Sequence, residues 1–225
     1  MSKQIPFRYD FVGSFLRPAN LKAAREGVEN GKISADELKA VEDKEIERLI
    51  NKQKELGYHV ITDGEFRRAT WHLDFMWGFD GVAHEKTKTG LPFHGEDAMI
   101  DDTYLCGKVG LSKVHPFVEH FKFVKHFEDE NTVAKQTIPA PAQFIEQMIM
   151  PFALENTSKY YDSTHKLAED IANGYKKVIA DLYDAGCRNL QLDDCSWGML
   201  VDPRAEELFG TDKKGLKDIQ ELLVE

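Results

Sequence analysis

Short apolar segments alternate with amphipathic helical ones along this chain, and most of the apolar segments end in glycine, acidic or hydroxyl residues. No other feature constrains the fold as much. Strands separated by helices pair most readily side by side and in parallel, as successive βα units. The strand candidates are Tyr9 to Phe15, ending in Gly13-Ser14; Tyr58 to Thr62, leading into Asp63-Gly64-Glu65; Val133 to Ile138, broken by Pro139-Ala140-Pro141; and Asn189 to Leu192, ending in Asp193-Asp194. Between the first two, Asn20 to Glu26 reads as a short helix. Ser34 followed by Glu37 is a capping-box pattern that starts a longer one. Leu38, Val41, Ile46, Leu49, Ile50 and Leu56 give that helix an apolar stripe, and Gly57 is placed to end it. Gln143 to Met150 reads as a short helix. Thr164 to Asp184 is the clearest helix, with Leu167, Ile171, Tyr175, Val178 and Leu182 at three-and-four spacing. A last helix starts near Asp212 or Lys213 and reaches Leu223, with nothing after it to pack on its apolar side.

The stretch between the second and third strands breaks the pattern. Trp71 to Val82 is aromatic-rich, a polar glycine-containing run follows, and Phe117, Phe121, Phe123 and Phe127 alternate in places. Thr103 to Phe127 therefore reads as an antiparallel, β-rich insertion or a long irregular connection.

Composition narrows the partners. The chain has 225 residues, 42% hydrophobic and 30% charged, which suits a globular protein with one sizeable core, or at most two small ones. A formal net charge of −10 repels phosphate backbones, so no nucleic-acid partner is expected. No apolar run approaches the roughly 20 residues of a membrane span, and Met1 to Asp10 lacks the apolar core of a signal peptide. A cytoplasmic protein with no membrane partner is the expectation. Cys106, Cys187 and Cys195 are odd in number and widely spaced, which argues against a disulfide framework or a local zinc ribbon.

If the βα units close as a barrel, polar residues just past the strand ends converge in space. Ser14, Glu65 and Asp193 are such residues. Two carboxylates beside a glycine and a hydroxyl suit an amino acid: the carboxylates hold its ammonium group, and backbone N–H groups near Gly13-Ser14 hold its carboxylate, where glycine permits close approach. The same residues have plainer readings. Gly13-Ser14 and Asp63-Gly64 are turn dipeptides, and Asp193-Asp194 can cap a helix. His115, His120 and His126 lie close together; on an extended chain only His120 and His126 share a face, so partly solvated histidines among aromatics are preferred to a metal site. Arg67 and Arg68 can clamp an anion or serve as ion-pair partners. Trp71, Trp77 and Phe79 can stack on a flat ring or fill a core.

Three blocks carry a resemblance. Phe7-Arg8-Tyr9-Asp10-Phe11-Val12-Gly13-Ser14-Phe15-Leu16-Arg17-Pro18, then Asp63-Gly64-Glu65-Phe66-Arg67-Arg68 with Trp71-His72-Leu73-Asp74-Phe75, then Leu190-Gln191-Leu192-Asp193-Asp194-Cys195-Ser196-Trp197 resemble, in order, the catalytic barrel of the cobalamin-independent methionine synthase family, in its shorter single-barrel bacterial form. The resemblance implies an α/β fold of (β/α) TIM-barrel type, here about the first four βα units of eight across residues 1–225, with the β-rich insertion between the second and third strands. It implies transfer of a methyl group from 5-methyltetrahydrofolate to the thiolate of homocysteine. Val12, Gly13 and Ser14 would bind the homocysteine carboxylate, and Glu65 and Asp193 its amino group; Lys108 and Val109 would lie on the folate side. The family's zinc would have no ligands in this chain, since its histidine, two cysteines and glutamate come from the second half of the barrel, as does the proton-donating histidine. Cys106, Cys187 and Cys195 occupy other positions. Half a barrel leaves open sheet edges, so a homodimer, a complementary C-terminal half or a fragment of a longer product is expected. A non-catalytic half-barrel binding module and a related barrel alkyltransferase are the alternative functions.

Overall fold

A computed structural model describes residues 11–87, 91–93, 96–98 and 101–224. Phe7 to Asp10, the head of the first block, lie outside the described residues. The elements follow in order: α1 (Ala19–Glu29), α2 (Ala35–Glu55), β1 (Val60–Ile61), α3 (Leu73–Met76), β2 (Asp80–Glu85), β3 (Leu91–Phe93), β4 (Glu96–Ala98), β5 (Asp102–Gly110), α4 (Pro116–Lys125), β6 (Val133–Ala134), β7 (Gln136–Pro139), α5 (Pro141–Ile149), α6 (Pro151–Ser158), α7 (Thr164–Asp184), β8 (Leu190–Asp193), α8 (Ser196–Leu200), α9 (Ala205–Leu208) and α10 (Lys213–Val224).

The pairings run in chain order. Ser14 bridges Gly64 in parallel, β1 pairs β6 in parallel through Val60–Val133 and Ile61–Ala134, and β7 is hydrogen-bonded to β8. Strand and helix therefore alternate as an α/β fold, but the strands are short. Of Tyr9 to Phe15, the described part contributes a single bridge rather than a strand. Val133 to Ile138 divides at Lys135, so that its halves pair with different neighbours.

The helices follow the apolar spacing closely. Ser34 caps α2 in both directions: Glu37 N–H donates to Ser34 Oγ at 3.2 Å, and Ser34 N–H donates to Glu37 Oε2 at 2.8 Å. Ile46 and Ile50 are fully buried, while Leu56 lies past the helix end and is 65% exposed. Gly57 ends the turn at φ +80°. On α7 all five stripe residues, Leu167, Ile171, Tyr175, Val178 and Leu182, are buried.

The insertion is antiparallel as expected, with β2 paired to β5 and β3 to β4. Its far end is not: Phe117 to Phe127 is mostly the helix α4. Phe117, Val118, Phe121 and Val124 are its buried residues, a three-and-four spacing that the alternating Phe117, Phe121 and Phe123 hid. Pro116 opens it, as proline suits a first helical turn. Short helices α6, α8 and α9 were also not anticipated, each too brief to show a period. Nor is α10 without packing: Leu216, Ile219 and Leu223 sit against Met150, Leu200 and Phe209. No helix of the described residues is long and apolar enough to cross a membrane.

The chain folds as two compact units, each assembled from separate segments: residues 1–69, 117–137 and 182–191, and residues 70–116, 138–181 and 192–225. The first holds α1, α2, β1, α4 and β6. The second holds the insertion, α5, α6, most of α7 and α8 to α10. Its centre is aromatic: Phe75, Phe79, Phe144, Tyr175 and His115 are all buried, with Phe75 and His115 rings 4.5 Å apart. His115 Nε2 is 2.9 Å from the Phe75 carbonyl, so this histidine is a packed core residue. His120, half-buried, and His126, exposed, lie on or just beyond α4 rather than on an extended strand.

His72, also in the second unit, is a half-buried base. Burial pulls its pKa from the usual 6.5 down to about 4, partly opposed by Asp74, and its Nδ1 is enclosed without a partner. A histidine with a depressed folded pKa contributes stability that is complete above 6.5 and is lost as pH falls through about 4. Urea unfolding of the parent is expected to lose about 2 kcal/mol more between pH 7.5 and pH 4 than that of His72→Leu. Equal losses would remove His72 as the cause.

Candidate functional site

The strand ends of the first unit are finished by side chains. At the end of β1, Thr62 N–H donates to Gln53 Oε1 at 3.0 Å and Gln53 Nε2 donates to the Thr62 carbonyl at 2.9 Å. The amide of Gln53 thus takes the place of a neighbouring strand. The Thr62 hydroxyl in turn donates to the Gly13 carbonyl at 2.7 Å. Gly13 is required there: a Cβ would meet Thr137 Cγ2 at 2.9 Å, and φ is +121°. Val12 is 64% exposed and Ser14 is exposed, so this segment lies at the surface while its glycine is buried.

Beyond Thr62 the chain turns. Asp63 Oδ1 accepts the Glu65 N–H at 2.8 Å, Gly64 has φ +67°, and Glu65 has φ +59°, the only positive φ at a non-glycine among the described residues. A left-handed conformation costs such a residue about 1–2 kcal/mol, and strain of this kind concentrates at functional sites. Asp63-Gly64 is thus a turn, and the turn directs Glu65 inward. Glu65 is 3% exposed. Its Oε1 accepts from Thr137 Oγ1 at 3.0 Å and lies 3.2 Å from Arg68 Nη1. Arg68 is 1% exposed; it donates to Thr137 Oγ1 at 2.9 Å and stacks 4.5 Å above the Phe117 ring. Arg17 holds the turn from outside, donating to the carbonyls of Glu65 at 2.9 Å and Arg68 at 3.0 Å.

Arg67 and Arg68 therefore separate. Arg67 pairs with Glu42 at 3.3 Å and with Asp43, and lies 4.9 Å from the Phe123 ring, an ion-pair role. Arg68 is the buried counter-charge of Glu65. Within the first unit the structure brings Gly13, Ser14 and Glu65 onto adjoining strand ends. It adds Thr62, Lys135, Thr137 and Gln191, none of which the motif reading singled out. The signal for Lys135 and Thr137 was present: Lys135-Gln136-Thr137 interrupts an otherwise apolar strand.

In the second unit Asp193 ends β8, half-buried, its carbonyl accepting the Ala140 N–H at 2.7 Å. Asp194 Oδ1 accepts the Ser196 N–H at 2.8 Å in a turn just before α8, whose N-cap is Cys195, so neither Asp193 nor Asp194 is the helix cap. Lys108 and Val109 lie on β5. The Val109 N–H donates to the Tyr161 hydroxyl at 2.8 Å, which donates to Asp170 at 2.7 Å, and Lys108 Nζ is 5.8 Å from the Tyr161 ring. Phe79 is core, and Trp77 is stacked against His84 at 3.9 Å, so one indole face is covered from within. The cysteines are free. Burial pushes the Cys187 and Cys195 thiols up; their Sγ atoms lie 3.5 Å from the Asn189 carbonyl and 2.9 Å from Gln143 Oε1.

With this geometry in place, comparison with known proteins is informative. Residues 9–89 match the family model described as cobalamin-independent synthase, catalytic domain. The uncharacterized Bacillus subtilis protein YxjH is 39% identical over 92% of this chain and 52% of its own. A crystal structure from Listeria monocytogenes, described as a putative vitamin-B12 independent methionine synthase, is 37% identical with a TM-score of 0.72, over 97% of this chain and 60% of that one. The chain is a relative of the cobalamin-independent methionine synthases. The methionine synthase of Sulfurisphaera tokodaii is more distant, 27% identical over 81% of this chain and 50% of its own. The chain spans about half the length of the curated relatives it matches, and it corresponds to the N-terminal half of the family.

Removing one member of a buried ion pair strands the other in a low dielectric. Arg68→Met is expected to cost about 3–5 kcal/mol in urea unfolding. The double variant with Glu65→Gln should recover a substantial part of that loss; no recovery would mean that Arg68 acts through packing on Phe117 alone.

Proposed function

We propose that this chain supplies the amino-acid-binding half of a methyltransferase that moves the methyl group of 5-methyltetrahydrofolate to the sulfur of homocysteine, giving methionine. The observation that carries the reading is the buried Glu65 carboxylate, set in a left-handed conformation one residue past the Ser14–Gly64 bridge. A carboxylate and exposed backbone N–H groups at adjoining strand ends offer opposite charges to the two ends of a zwitterion. On this reading Glu65 and Asp193 hold the ammonium group, Val12, Gly13 and Ser14 hold the carboxylate, and Lys108 and Val109 lie toward the folate.

The finer architecture belongs to the same proposal. The order of pairings, Ser14 with Gly64, β1 with β6 and β7 with β8, supports the first four βα units of an eight-unit barrel. A second copy, or a complementary C-terminal half, would complete the sheet. A metabolic enzyme of this kind would work in the cytoplasm.

Zinc, when bound in the family, holds the homocysteine thiol as a thiolate at neutral pH. The residues present do not fit it. Among the described residues no three His, Cys, Asp or Glu side chains are grouped to hold a metal, and the Cys187 and Cys195 thiols are raised rather than lowered in pKa. Zinc ligands would therefore come from outside these residues. Elemental analysis of protein purified without chelators is expected to find well under one zinc per chain; a stoichiometric zinc lost on alkylating the cysteines would contradict this.

The test of the amino-acid site is calorimetric. Homocysteine binding by the parent is expected to weaken about tenfold or more in Glu65→Gln and in Asp193→Asn, since each loses one charge-assisted bond to the ammonium group. Undiminished binding by both variants would sink the site assignment.

A further inference from the structure

Three successive carbonyls in the first unit are held by side chains of three different strand segments. The Phe11 carbonyl accepts from Lys135 Nζ, the Val12 carbonyl from Gln191 Nε2 at 2.7 Å, and the Gly13 carbonyl from Thr62 Oγ1 at 2.7 Å. Lys135 and Gln191 are also joined to each other, Nζ to Oε1 at 2.8 Å, and the Lys135 ammonium lies 5.0 Å from the Phe11 ring. Lys135 is 3% exposed, so a charge has been carried into the interior to make these contacts. In ordinary extended chain, successive carbonyls alternate in direction. Here all three are engaged by side chains, the Val12 carbonyl at a more exposed position than the other two, and the φ of +121° at Gly13 permits the turn.

A trans peptide is planar, with its N–H opposed to its C=O. The peptides whose carbonyls face Lys135, Gln191 and Thr62 are those whose N–H groups belong to Val12, Gly13 and Ser14. Fixing the carbonyls on these side chains therefore turns the N–H groups away from them, and none of the three has a protein acceptor among the described residues. Successive N–H groups pointing one way form an anion-binding concavity, and the buried ammonium behind them adds positive potential on the same side.

We infer that Lys135 and Gln191 are positioning residues. They hold the carbonyls of the Phe11–Ser14 segment, so that its N–H groups are presented together to a carboxylate. The identity of that carboxylate rests on the proposed function; the holding of the segment does not. Lys135 and Gln191 are remote in sequence from the segment they hold, and no motif in that segment announces them.

Two measurements test the inference, and the first needs no ligand. The Phe15 N–H donates to the Gly64 carbonyl at 3.1 Å, so its exchange with deuterium reports whether the segment is seated. In Lys135→Met and in Gln191→Leu, protection at Phe15 is expected to fall about tenfold, the scale of one lost interior hydrogen bond. Protection at Val133, whose N–H donates to the His59 carbonyl at 2.8 Å in the β1–β6 pair, should not change. Unchanged protection at Phe15, or an equal fall at both residues, would overturn the inference. If Lys135→Met does not fold, Gln191→Leu at a partly exposed side chain carries the exchange test alone.

The second measurement compares homocysteine with its decarboxylated analogue, 3-aminopropane-1-thiol. Gln191→Leu should weaken homocysteine about tenfold and leave the analogue's affinity as in the parent. Equal weakening of both ligands would reduce Gln191 to a structural role and overturn its positioning role. If the parent binds neither ligand, the homocysteine reading fails, and the exchange result still decides the inference.

Discussion

The Glu65–Arg68 pair is the interaction on which the first unit turns. A carboxylate that is 3% exposed cannot stay ionised without a partner, and a guanidinium that is 1% exposed cannot stay at all without one. Each is the other's condition, and Thr137 Oγ1 lies between them, donating to Glu65 and accepting from Arg68. The pair also explains the backbone around it. Arg68 follows Glu65 by one turn, and its N–H donates to the Glu65 carbonyl at 3.1 Å. The left-handed Glu65 starts that turn, Asp63 and Gly64 make it possible, and Arg17 fastens it by both carbonyls. A buried ion pair of this kind is weak evidence for stability, because apolar residues of the same volume would often serve as well. Its retention beside a strained backbone points to a use of the carboxylate.

How much of this could be read from the sequence depends on range. Contacts within a few residues were legible: the Ser34–Glu37 capping box, the buried stripe of α7 and the turn at Asp63-Gly64 each rest on a local rule and each formed. The Phe117 to Phe127 segment was misread because phenylalanines at spacings of four, two and four satisfy a period of 2 as well as a helix; the buried Val118 and Val124 break the tie. The described part of the first strand forms only a bridge because its pairing partner is itself a turn residue, Gly64, rather than a run of extended chain. Glu65 was legible as a strand-end carboxylate, but Arg68 was not separable from Arg67, since neighbouring arginines differ only in which way the turn throws them. Gln53, Lys135 and Gln191 escaped because each acts on backbone far away in sequence, and side-chain-to-backbone bonds leave no motif at either end.

What the sequence did carry was a conflict. A strand buried on both faces of a parallel sheet should read as a nearly continuous apolar run. Lys135, Gln136 and Thr137 instead stand in the middle of Val133 to Ile138, each 3% exposed. Three polar residues in a row at the core of a strand cost free energy unless every one is satisfied. Lys135 reaches the Phe11 carbonyl and Gln191, Gln136 Nε2 donates to the Thr137 carbonyl at 2.9 Å, and Thr137 links Glu65 to Arg68. Local rules fail in natural proteins mainly where function imposes something else. Here the failure falls on the segment that touches both the Phe11–Gly13 carbonyls and the Glu65 turn. On the proposed reading the two halves of the candidate site, one offering N–H groups and the other a carboxylate, are thus fixed by residues two apart, Lys135 and Thr137, in one short segment. A shift of that strand by a single residue would turn Lys135 and Thr137 to the opposite face and undo both at once. Register, more than the identity of any one site residue, is what the buried polar triplet enforces.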